Sequence, residues 1–175
     1  MKKYIIVGAA FVLVVFLFLG FGFRQPKTAY VDINEIYNNF TLKKELESKL
    51  DNISNARKNI LDSVKIKVNV LSNVLEGTDK KNKKAVDSIS GILESFKQEY
   101  YYKEQNFTQD NDAMTKQYSD QIWKQLNQYV KDYGKENGYE YIFGADGSGA
   151  VMYAAEGNNI TDELKTYVNN RYSGK

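Results

Sequence analysis

The sequence predicts an α+β protein that is mainly α: a long antiparallel helical hairpin on a small β-rich body, preceded by an N-terminal apolar export or anchor helix. Three observations carry this. Residues 41–137 contain no proline and place apolar side chains at helical spacing almost throughout, with one interruption near 76–81. Short runs that read as strands flank this stretch on both sides, at 29–33 and within 139–155. Finally, 42% apolar content coexists with a mean hydropathy of −0.54, so an apolar block is offset by a very polar remainder. The chain divides accordingly. Residues 1–27 are a signal peptide or signal anchor plus linker, 28–40 the first strand and short helix of the body, 41–137 the hairpin, and 138–175 a β-hairpin and C-terminal helix.

At the amino terminus, Lys2 and Lys3 precede an uncharged run from Tyr4 to Phe23. Roughly 20 apolar residues cross about 30 Å of hydrocarbon as a helix. The lysines favour a cytoplasmic amino terminus, so the remainder is exported. Two outcomes are open. A cleaved signal needs an Ala-x-Ala-like end, whereas this run ends Leu19-Gly20-Phe21-Gly22, which favours an uncleaved anchor. Gln25 to Thr28 form a linker holding the single proline.

Ala29 to Ile33 alternates and suits a strand with one buried face. Asn34 to Phe40 reads as a short helical turn, with Asp32 or Asn34 as its cap, and Thr41 is placed to cap the first arm. Along that arm Leu42, Leu46, Leu50, Ile53, Leu61, Val64, Val68, Leu71 and Leu75 make one narrow stripe, fit to pack against one partner helix. The cluster Val64 to Val70 also alternates with period two, but helical stripes continue on either side of it. At the interruption, Gly77 is expected to supply a positive φ, with Thr78 or Asp79 starting the return.

The returning arm repeats the rhythm from Val86 through Leu93, Phe96, Tyr100, Phe107, Met114, Tyr118, Ile122 and Leu126 to Tyr133. Its polar middle, Thr108 to Asp112, is expected to be the loosest packed. The returning arm is the longer, so its last turns, Trp123 to Tyr133, are expected to pack into the body, with Trp123 and Leu126 buried there. Gly138 follows as a helix stop. Tyr139 to Gly144 and Ala150 to Ala155 read as hairpin strands around the turn Ala145 to Gly149, and Thr161 is expected to cap a final helix with Leu164, Tyr167 and Val168 inward. About three short strands make a poor independent sheet, which argues for several copies pooling their strands.

For function, the composition mostly excludes. There is no cysteine and no histidine, which removes disulfides, thiol chemistry, His-based acid–base catalysis and the usual zinc sites. A net charge of +2 gives no case for nucleic acid as the main partner. The Gly-rich turn opens no helix and so is no phosphate cradle. No cofactor is expected, and the scattered carboxylates suggest no enzyme. What stands out is a basic tip: Arg57, Lys58, Lys65, Lys67, Lys80, Lys81, Lys83 and Lys84 against Asp62, Glu76 and Asp79. These eight are candidate contacts for acidic clients or anionic surfaces, against the alternative of a solvated helix end.

The motifs Ala29-Tyr30-Val31-Asp32, Glu136 to Ile142, Val151-Met152-Tyr153 and Asn159 to Leu164 give the exported part a specific order. In that order it resembles the Skp/OmpH family of periplasmic chaperones over Thr28 to Tyr172. Asn159 stands where the family usually has an acidic residue, and the amino terminus looks more like an anchor than a cleavable signal. The resemblance implies a homotrimer with a β-rich body and three helical tentacles. It implies unfolded outer-membrane proteins as clients, held in the periplasm without ATP. The competing expectation is a membrane-anchored coiled-coil scaffold for a folded envelope partner.

Overall fold

The computed structural model describes residues 25–175, so the expected export or anchor helix, Tyr4 to Phe23, lies outside the described residues. Among those described, no helix is long and apolar enough to cross a membrane. The elements are β1 (Thr28–Asp32), α1 (Ile33–Asn39), α2 (Thr41–Gly77), α3 (Lys83–Glu136), β2 (Tyr141–Ala145), a 3-10 turn (Glu156–Asn158) and α4 (Thr161–Tyr172). Helices α2 and α3 form the hairpin. At 37 and 54 residues they run about 55 and about 80 Å. All nine stripe residues of α2 are buried or half-buried, as are the apolar stripe residues of α3. One seam between two helices is therefore what holds the arms together.

The excess length of α3 enters the body as expected. Ile122 and Leu126 join Ala29, Val31, Ile36, Phe40, Leu164 and Val168 in one buried cluster. Leu126 is fully enclosed, but Trp123 is not: it stays 38% exposed, with its ring stacked on Tyr37 at 4.7 Å. The heptad-like step that buries Ile122 and Leu126 turns position 123 toward the surface.

The sheet differs from the expected β-hairpin. β1 and β2 pair in parallel, from Thr28 opposite Tyr141 to Asp32 opposite Ala145, and the whole helical hairpin is their connection. Ala150–Ala155 forms no strand. Gly147 and Gly149 take positive φ (79° and 99°) in an open loop, and Asn34 ties that loop to α1 through the Asp146 carbonyl at 3.1 Å. The apolar runs on either side of a Gly-rich turn imitate a hairpin locally, but β2 spends its pairing on β1, whose Ala29 and Val31 it helps bury.

Helix ends also depart from the simplest reading. Asp32 caps α1 by accepting the Glu35 N–H at 2.9 Å. Thr41 does not cap α2. It is the first helical residue, and its N–H and hydroxyl both donate to Asn169 Oδ1 at 2.8 Å, so the cap comes from α4 across the fold. Gly77 ends α2 without a positive φ, and α3 is started by Asn82, which accepts the Ala85 N–H at 3.3 Å. Gly138, at φ +70°, does stop α3. Its N–H meets Lys135 O and the Tyr139 N–H meets Gly134 O, the paired closure of a Schellman turn, with Tyr139 stacked on Tyr133. Thr161 is likewise the first residue of α4 rather than its cap. It is buried, donating to Asn159 Oδ1 at 2.6 Å and accepting from the Asp32 N–H at 2.9 Å, which joins β1 to α4.

Candidate functional site

Among the described residues no cluster of acidic side chains could hold a metal ion. The chemistry on offer is a long surface rather than an enclosed site. The turn Thr78–Asn82 at the tip carries exposed Lys80 and Lys81, with Lys83 and Lys84 in the first turn of α3. Asp79 folds the turn by accepting the Lys81 N–H at 3.0 Å, and Lys80 Nζ reaches the Leu75 carbonyl at 3.2 Å. That last contact is a second donor to a carbonyl that already accepts the Thr78 N–H at 3.3 Å, and it leaves the ammonium at the surface.

The other four candidates separate along the arm. Lys58 is exposed. Lys65 lines a shallow groove of about 270 Å³ with Val68, Asn69, Lys97 and Tyr100. Lys67 lies over the Phe96 ring at 5.1 Å. Arg57 stands some twenty residues, about 30 Å, from the tip and is not a free surface charge. Its side chain is 18% exposed, lies over the Phe107 ring at 5.3 Å, pairs with Asp110 at 3.1 Å and donates to Asn111 Oδ1 and the Phe107 carbonyl. The polar middle of α3, expected to be loose, is therefore the part most specifically gripped. Asp110 and Asn111 are polar because they face a guanidinium, whose planar fork suits several acceptors at once.

A second set of apolar residues lies off the seam stripes. Ile60, Ile66, Val70 and Val74 on α2 and Ile92, Tyr101 and Tyr102 on α3 are exposed, Ile66 by 62% and both tyrosines by 67%. Ile66, Val70 and Val74 recur every four residues, so they share a face of α2 that is not the one against α3. The signal was the period-two alternation of Val64 to Val70, which marks apolar residues lying off the seam. The result is an uncovered β-branched and aromatic surface beside a cationic tip.

Two comparisons bear on this arrangement. The family model for OmpH-like outer membrane proteins matches residues 27–168. The chain belongs to this OmpH-like family. A crystal structure from Caulobacter crescentus, assigned as an OmpH-like outer membrane chaperone, matches with a TM-score of 0.70. At 14% identity, over 83% of this chain and 85% of that one, the likeness shows the fold. No curated protein matches this OmpH-like chain in sequence.

Proposed function

We propose that the protein is an ATP-independent holding chaperone of the periplasm, sheltering unfolded outer-membrane proteins between the hairpins of a homotrimer. One observation carries the reading: the hairpin exposes Ile60, Ile66, Val70, Val74, Ile92, Tyr101 and Tyr102 outside its own seam. Exposed apolar surface of this extent on a folded arm marks a binding surface. Spread over tens of ångströms, it suits many weak contacts with a disordered chain better than one folded partner. The tip lysines Lys80, Lys81, Lys83 and Lys84 supply long-range attraction for acidic clients or anionic surfaces, and Lys58, Lys65 and Lys67 extend it along α2. Membership of the OmpH-like family supports the outer-membrane setting.

The test uses residues 25–175 and a urea-denatured outer-membrane barrel diluted into buffer. Light scattering should stay low at one trimer per client and rise without the protein. A monomer that leaves aggregation unchanged would sink the proposal. The scaffold reading is favoured by the uninterrupted run Tyr4–Phe23 and its poor cleavage end, and we take that run to be retained as an anchor to the inner membrane. The intact mass of the mature protein decides retention.

A further inference from the structure

We infer that the end of the body opposite the hairpin tip, around Lys27, Lys131 and Lys135, is a docking surface for the anionic lipid headgroups of the bilayer that holds the amino-terminal segment. The inference rests on the retention of that segment proposed above. The chain enters the described body at the far end of α3. The Lys27 carbonyl accepts the Glu140 N–H at 2.9 Å, its ammonium donates to the Asn137 carbonyl at 2.9 Å, and the same ammonium lies over the Tyr139 ring at 3.9 Å. Asn137 is the C-cap of α3, and the tip is at the other end of that helix, about 80 Å away.

Lys27 is thus fixed to the body, and only Gln25 and Pro26 separate it from Arg24 and the apolar run. Three chain steps span at most about 10 Å. A segment held in a bilayer therefore keeps this end of the body within reach of the headgroup layer, and the lysines decide whether it lies against it. Its chemistry fits that neighbour. Lys131 and Lys135, one helical turn apart and both exposed, flank a groove of about 320 Å³ floored by Val130, Tyr139 and Ile142. Gly134 of α3 forms part of the same wall, with Ile142 packed beside it.

The carboxylates at this end are mostly engaged. Glu136 accepts from Tyr167 at 3.0 Å and pairs with Arg171 at 3.5 Å, and Asp132 accepts from Gln128 at 2.9 Å. Glu140 is the acidic group on the groove itself. An ammonium on a long stem over an apolar floor suits an interface where the head stays with phosphates and the stem with the upper acyl chain. With this end docked, the tips are held about 80 Å out from the bilayer.

The chain has no cysteine, so a single introduced one can be labelled cleanly. The full chain is placed in nanodiscs of phosphatidylcholine with or without phosphatidylglycerol, carrying a donor dye at N127C or at K81C and an acceptor lipid in the bilayer. Energy transfer should be strong from position 127 and absent from position 81. K131Q/K135Q should lower transfer from 127 in the phosphatidylglycerol discs and change nothing in the neutral ones. Equal transfer from the two positions, or a double variant that behaves as the parent in anionic discs, overturns the inference. Residues 25–175, which lack the apolar run, are assayed separately for partition onto phosphatidylglycerol vesicles, where the double variant should bind roughly 25-fold more weakly at about fivefold per lysine. A mature mass lacking the segment before Lys27 would end the retention reading alone, because vesicle partition measures the lysines without the anchor. Unchanged partition would end the lipid surface.

Discussion

Asn169 holds more of the body together than its polarity suggests. It accepts from Thr41 twice at the start of α2, while its amide donates to the Asn39 carbonyl at 3.2 Å and the Lys165 carbonyl at 3.0 Å. Removing a cap of this kind costs about 1–2 kcal/mol, so Asn169→Ala should lower the unfolding free energy measured in urea by that much, and Asn169→Asp should not rescue it, because a carboxylate has no donor for the Asn39 and Lys165 carbonyls. Leu126 and Trp123 should separate cleanly. A carboxylate at fully buried Leu126 has no partner and should prevent folding, whereas Trp123→Asp removes a half-exposed stack on Tyr37 and should leave a folded, less stable body by circular dichroism.

The body should also loosen in alkali. Hydrogen bonds to Asp162 and Glu35 raise Lys165, the bond to Glu45 is the main cause raising Tyr172, and burial is the main cause raising Tyr133 and Tyr167. Each folded pKa lies above its ordinary value, so the protonated form is the one the fold favours. The stabilisation is complete below the ordinary values of 10.0 and 10.5 and is lost as pH rises through the raised ones. Thermal melts should be flat from neutrality to about pH 10 and fall beyond, and Tyr172→Phe should blunt that fall.

Along the hairpin, the Arg57 clasp and the basic tip invite different experiments. Arg57→Leu should speed amide exchange around Phe107 to Asn111 while sparing the body, because the guanidinium bridges the arms where the apolar seam is interrupted. An exchange pattern unchanged there would mean the seam alone holds the arms. Replacing Lys80, Lys81, Lys83 and Lys84 together by Gln should weaken client binding at low salt, with little effect at high salt and none on assembly. Equal affinity would leave those lysines as a solvated helix end. The seam was readable residue by residue, since apolar spacing reports a helix face directly. The clasp was not, because nothing in Asp110 and Asn111 says that an arginine fifty residues earlier will face them.

At the scale of the whole chain the weak point is the sheet. Among the described residues it has two strands, with Tyr141 and Phe143 exposed and stacked on each other beside Met152 and Tyr153, which are 92% and 88% exposed. Two strands are too few to stand alone, and an apolar edge of this kind calls for cover. Phe143→Glu should therefore convert the proposed trimer to monomer in light scattering while the helical content is kept. A trimer that survives the change would place the interface elsewhere.

Chain chemistry was enough to establish two long arms, a tip near residue 80, an α4 with its inward face, and a body built from the flanking segments. Those features follow from interactions within a few residues, where periodicity, caps and glycines act locally. Three-dimensional packing chose the rest: β1 beside β2 in parallel rather than a hairpin, a cap for α2 lent by α4, and Arg57 drawn into the seam instead of the basic surface. Each of these joins residues 50 to 130 positions apart, and at such separations several partners satisfy the same local pattern. The partner that also fills the core is the one that forms.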